Sequence, residues 1–81
     1  MKLTLLSGSF SAKEMEKIIT DMIKVKIKYH EDKIQATDDM ETIKMRENRI
    51  IKLQNDLKSA REYLQNAPTM IQAAAEITIA K

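Results

Sequence analysis

The stretch KVKIKYHEDK, Lys24 to Lys33, decides the fold, because it supports three incompatible readings. Lys24, Lys26 and Lys28 alternate with Val25 and Ile27 as in an edge strand or a phosphate-tracking patch. His30, beside Glu31 and Asp32, has the look of a metal site, and the flanks look like the interior of a helix. A strand here would need a turn before it, and Ala12 to Ile23 contain no Gly, no Pro and no cluster of turn residues. β-Branched residues alone carry little weight against that. The stretch is expected to be helical.

Its surroundings support the same reading. The only Gly is Gly8 and the only Pro is Pro68, so Ser9 to Ala67 holds no strong helix breaker. In FSAKEM, Ser11 can accept from the third helical N–H, Glu14 can reach back to the N–H of Ser11, and Phe10 can pack on Met15. That is a capping box with its hydrophobic staple, so a first helix is expected over about 12–35. Met15, Ile18, Ile19, Met22, Val25 and Tyr29 fall on one side of it, and Ile23, Ile27, His30 and Ile34 continue that side. The apolar arc is roughly 200° wide, against the ~100° that one neighbouring element needs. Such a helix touches more than one partner.

Lys13, Lys17, Lys24 and Lys28 line the opposite side, where Glu16, Asp21, Glu31 and Asp32 are interleaved with them. Lys17 to Asp21 and Lys28 to Asp32 have the spacing of helical ion pairs, so this is read as a solvated face rather than a nucleic-acid ridge. No aromatic stacking platform accompanies it. His30 has Lys26 and Ile34 as its axial neighbours, so no second ligand shares its face and no metal is assigned. With one His, no Cys and no phosphate-cradling glycine loop, no nucleophile has a recognisable base. No catalytic residue and no cofactor are expected, and the chain is not expected to be an enzyme.

Composition narrows the classes further. A chain of 81 residues holds one domain at most, with a thin core that needs support from a partner. The net charge of +2 is too small to imply a polyanionic partner. Without Cys there is no disulfide scaffold or thiolate zinc site, and the cytoplasm is the expected compartment. The opening MKLTLLSGS has an apolar run far shorter than the ~7–15 residues of a signal-peptide core, and nothing approaches a membrane span. The chain reads as a small bacterial protein starting at its own Met.

In ATDDME, Thr37 can cap a new helix whose first turn carries Asp38, Asp39 and Glu41, acids suited to the positive end of a helix dipole. A second helix is therefore expected over about 38–66, in preference to one continuous rod. It carries a heptad of Ile43, Ile50, Leu57 and Leu64, with Arg46, Leu53, Ala60 and Ala67 three residues after each. Such repetition belongs to coiled coils and four-helix bundles. A short loop makes the helices antiparallel neighbours, with Tyr29 near Arg46, Met22 near Leu53, Ile18 near Leu57 and Phe10 near Leu64. Pro68 ends helix 2. The nearly uncharged segment 69–81 can be a third helix, a strand at EITIA pairing with KLTLL, or a flexible tail, and propensity favours a helix through Ala75.

The run GSFSAKEMEKIITDMIKVKIKYHEDKI resembles the first helix of small bacterial helical-hairpin proteins, in which a Ser-capped amphipathic helix precedes a charged one. The resemblance covers about the first 35 residues and rests on patterning. It implies a fold and brings with it no activity or site residues.

The expected architecture is all-α: an antiparallel helical hairpin with a short C-terminal element, completed by self-association into a bundle of at least four helices. The expected function is a structural or protein–protein interaction module. Self-association is assigned to Met15, Ile18, Met22, Ile23 and Ile27 of the first helix and to Ile43, Ile50, Leu53, Leu57 and Leu64 of the second. Met70, Ile71, Ile77 and Ile79 are assigned to a partner contact. The partner is a second copy, giving a homo-oligomer of two chains or more, or a larger protein. Two other classes are a nucleic-acid-binding accessory protein, using the lysine ridge with Arg49 and Lys52, and an enzyme built on Asp38, Asp39 and Glu41 of several chains.

Overall fold

The computed structural model describes residues 1–81 and has four elements in the order β1 (Lys2–Ser11), α1 (Ala12–Gln35), α2 (Met40–Gln65) and β2 (Met70–Thr78). The expectation of an all-α chain is overturned, because β1 and β2 form a two-stranded antiparallel sheet. The four-helix bundle goes with it: the chain has two helices, and both of its ends are committed to strands, Met70–Thr78 being strand where propensity favours a helix through Ala75. The physical reason is distance along the chain. KLTLLSGSFS and MIQAAAEIT each look indecisive alone, and each finds its ladder partner only in the other, 59 (Ser11 to Met70) to 76 (Lys2 to Thr78) positions away. The helical hairpin brings them together.

The start of α1 agrees with its local chemistry. Ser11 is extended, its side chain accepts from the N–H of Glu14 at 3.1 Å, and the Glu14 carboxylate accepts from the N–H of Ser11 at 3.0 Å. The strand therefore passes directly into the helix, with one residue ending the ladder and capping the next element. The stretch Lys24 to Lys33 lies wholly within α1. At the other end, α2 begins two residues later than expected. Asp39, not Thr37, is the N-cap, accepting from the N–H of Thr42 at 3.3 Å, while Thr37 Oγ1 accepts from the N–H of Asp39 at 3.2 Å. The hydroxyl is used to shape the loop, and the carboxylate, which suits the helix dipole better, caps.

Across the hairpin, Arg46 lies over the Tyr29 ring at 5.5 Å, as the antiparallel register requires. Farther along, Arg61 reaches Thr20 Oγ1 at 3.3 Å and Glu16 Oε1 at 3.5 Å. On α2 the heptad residues Ile43, Arg46, Ile50, Leu53, Leu57 and Ala60 are half-buried and Leu64 is buried. Their period marks the seam with α1 of the same chain. Ion pairs Lys17–Asp21, Lys28–Asp32 and Lys52–Asp56 run along the exposed faces.

In the sheet, Phe10 pairs with Ile71, Gly8 with Ala73, Leu6 with Ala75 and Leu3 with Ile77. A bulge between Thr4 and Leu6 leaves Leu5 unpaired. Without that extra residue, strict alternation would turn Leu3 to the opposite face from Leu6; with it, both share the face of Ile77 and Ala75. The ribbon thus has one face without a charge and one that carries Lys2, Thr4, Ser7, Ser9, Gln72, Glu76 and Thr78. Gln72 hydrogen-bonds Ser9 on the polar side. Beyond the strands, the Met1 ammonium donates to Ile79 O at 2.9 Å and the Ile79 N–H to Met1 O at 2.7 Å, prolonging the ladder.

Hairpin and ribbon together make a sheet of protein one element thick, with extents of 47 × 32 × 13 Å. Only Met15, His30 and Leu64 are buried.

Candidate interaction surface

The core seam uses only part of the apolar arc of α1. Placing residues at 100° intervals, Ile23, Ile27, His30 and Ile34 point toward α2, whereas Ile18, Met22, Val25 and Tyr29 form a second stripe about 130° around the helix. Their exposures agree: Met22 is 38%, Val25 72% and Tyr29 50% exposed, large values for apolar side chains at helical spacing. Ile18 is half-buried. Of the residues assigned to self-association, Met15 and Leu64 are buried inside the chain. Ile23, Ile27, Ile43, Ile50, Leu53 and Leu57 are half-buried, as the seam requires. Met22 lies on the outward stripe. Val25 and Tyr29, its strongest exposed members, were visible in the sequence as part of the over-wide arc.

At the loop end of the seam, a polar cluster stands where the heptad is irregular. Arg46 Nη1 lies 3.1 Å from His30 Nδ1. A guanidinium can only donate, so Nδ1 accepts, the ring proton sits on Nε2, and the imidazole is neutral. Burial holds His30 below the ordinary imidazole value, and the nearby cations Arg46, Arg49 and Lys26 push in the same direction. Tyr29 meets the His30 ring edge-on at 5.3 Å, and Arg46 Nε is buried without a partner. The cluster fixes the register of the hairpin: Arg46 occupies a seam position and is held by a hydrogen bond and a ring face. Beside it, a shallow groove is lined by Lys26, His30, Arg49, Lys52, Leu53 and Asp56. No group of three or more His, Cys, Asp or Glu residues is placed to hold a metal ion. No helix is long and apolar enough to cross a membrane.

The residues assigned to a partner contact divide between the two ribbon faces. Ile71 and Ile77 lie on the apolar face, Met70 on the polar one, and Ile79 follows the strand with its backbone bonded to Met1. Leu3, Leu6, Phe10, Ala73 and Ala75 share the apolar face and were not assigned to a partner contact from sequence. The signal was present in the alternation of β1 and β2, but the bulge at Leu5 breaks the period of two in β1, and alanines give little contrast in β2. Comparison of the chain with protein-family models, curated proteins and solved structures finds no match.

Proposed function

We propose that this chain is a structural or protein–protein interaction module that associates with a second copy of itself, and that binding rather than catalysis is its work. The observation that carries this reading is the outward stripe of α1, where Met22, Val25 and Tyr29 stay exposed after α2 has taken the other side of the helix and set Arg46 over one face of the Tyr29 ring. Thinness supports it. The chain has an accessible surface of 6553 Å², where a compact protein of 9.3 kDa has about 5,000 Å². Its radius of gyration is 15.3 Å, against about 12 Å for a compact domain of this length. A layer with three buried residues has little to offset the entropy of ordering its backbone, and a second layer supplies the missing burial. The proposed compartment is the cytoplasm.

Light scattering tests the proposal. The expected mass at tens of micromolar is two chains or more, with a thermal midpoint that rises with protein concentration because association stabilises only the folded form. A mass of one chain with a concentration-independent midpoint overturns it.

A further inference from the structure

We propose that the apolar face of the β1–β2 ribbon docks on the same face of a second copy, so that two ribbons pack as a small two-layered sheet around a two-fold axis. This rests on the proposed self-association and names a second surface for it, separate from the α1 stripe. An isolated two-stranded ribbon is marginal in water, and stability comes from further strands or from cover over an apolar face. The sheet has no third strand, and the chain covers the face only in part: Leu6, Gly8, Phe10, Ile71, Ala73 and Ala75 are half-buried, while Leu3 and Ile77 at the ribbon tip remain 40% and 42% exposed. The bulge at Leu5 acts to keep Leu3 on this face. A ribbon whose irregularity preserves an apolar face that is at most half-buried is shaped for something that covers it.

The occupant is identified by size, charge and shape. The excess of this chain's surface over that of a compact protein is of the order of 1,500 Å², and a standard interface takes about 600–1,000 Å² from each partner. The face carries no charge, whereas α2 is charged along its outer side, so within a second copy the ribbon of matching length, about 30 Å, is the suitable counterpart. Shape completes the argument. Along the face, the pairs run from Leu3 and Ile77 at the tip to Phe10 and Ile71 at the base, with Leu6 and Ala75, then Gly8 and Ala73, between them. A two-fold axis through the centre sets each tip over the partner's base and each Leu6 over the partner's Gly8. That site is open: no atom stands within 4 Å of where a β-carbon of Gly8 would be, and φ of +134° keeps the position for glycine. The patch is therefore complementary to itself, as an isologous interface demands.

Ala73 and Ala74 are sequence neighbours on opposite faces, which provides the test with its control. Light scattering on the full chain is expected to show the associated mass at least halved by Ala73→Glu and unchanged by Ala74→Glu, with far-UV circular dichroism the same in both. An Ala75→Cys variant, conservative in a chain with no cysteine of its own, faces the partner ribbon across the ~10 Å spacing of packed sheets and is expected to be joined to its counterpart by a short bis-maleimide, whereas Ala74→Cys, on the outer face, is expected not to be. Unchanged mass in Ala73→Glu, together with no bis-maleimide cross-link in Ala75→Cys, overturns the ribbon interface. If Val25→Lys lowers the mass in that case, association through the α1 stripe stands without it. Equal loss in both Glu variants overturns the assignment to a face and points to pairing along a strand edge. A wild-type chain that is monomeric overturns this inference and the proposed function together.

Discussion

Replacing Val25 by Lys separates folding from association. In the single chain, Val25 is 72% exposed in the middle of α1, so its removal leaves no cavity and breaks no hydrogen bond. Lys has a somewhat higher helix propensity than Val, so the isolated chain should lose nothing and gain a few tenths of a kcal/mol. The interface is different. Full burial of a Val side chain is worth about 1.5–3 kcal/mol, and most of that is still to be gained here, about 1–2 kcal/mol per chain. Two symmetry-related copies forfeit about 2–4 kcal/mol, which weakens the dissociation constant about 30- to 1,000-fold before the cost of desolvating two ammonium groups. At tens of micromolar, light scattering should show the mass reduced by half or more. The thermal midpoint should lose the part of its concentration dependence that the stripe supplies, and helix content should be unchanged. A variant with the same mass and the same concentration dependence as the wild type would refute the role of the stripe.

Three further outcomes follow from the fold. Leu64→Ala, at one of the two buried apolar side chains, should cost about 2–3 kcal/mol in urea denaturation, the low end for Leu→Ala because a layer one element thick can collapse or hydrate the gap; a loss under 1 kcal/mol would contradict its burial. Ser11→Ala removes the cap between β1 and α1 and should cost about 1 kcal/mol. The same cap holds Glu14 below the ordinary carboxylate value, first through the Ser11 backbone N–H and then through its hydroxyl, so its contribution is full above about pH 4.5 and is lost as pH falls through the lower folded value. Acid unfolding should accordingly be less steep in Glu14→Gln. His30 is depressed from its ordinary 6.5, so the unfolded chain takes up its proton first and stability should fall as pH drops from about 6.5 toward the lower folded value. A His30→Gln variant should flatten the urea midpoint between pH 7 and 5, and an unchanged slope would deny the buried neutral imidazole.

Where a structural signal is local, the sequence carries it well. Ser11 and Glu14 are three residues apart and satisfy each other, so the start of α1 is legible to the residue. The end of α1 is nearly as clear, because polar capping residues gather at Thr37 to Asp39, although which of them caps depends on how the hydroxyl and the carboxylate share the loop's N–H groups. The strands are illegible for the opposite reason. Leu3 and Ile77 are 74 positions apart, and nothing near either of them says that the other exists. The tail's apolar residues could be seen to need cover, and pairing with KLTLL was one open possibility for them. The remainder of β1, with its serines and a bulge that breaks the alternation, concealed its continuation to Ser11.

The heptad of α2 shows how a correct pattern can lead to a wrong assembly. Ile43, Ile50, Leu57 and Leu64 establish that a helix lies alongside at a shallow angle, but a seven-residue period does not reveal whether that helix belongs to the same chain. Arc width does. The seam residues of α2 fill about one neighbour's width and are taken up by α1; outside them the helix is mainly charged, with Lys52 paired to Asp56, and its exposed apolar side chains Met40, Met45, Ile51 and Tyr63 are too far apart in sequence to make a stripe at helical spacing. On α1 the arc is twice as wide, and α2 covers only the half that contains Ile23, Ile27 and Ile34. The surplus on α1 is therefore the sequence-level mark of a further contact, whereas the regular repeat on α2 is the mark of the fold itself. By the same reasoning, Arg46 belongs to the hairpin rather than to an outside ligand, because it is the seam position at which His30 and Tyr29 of the opposite helix supply an acceptor and a ring face.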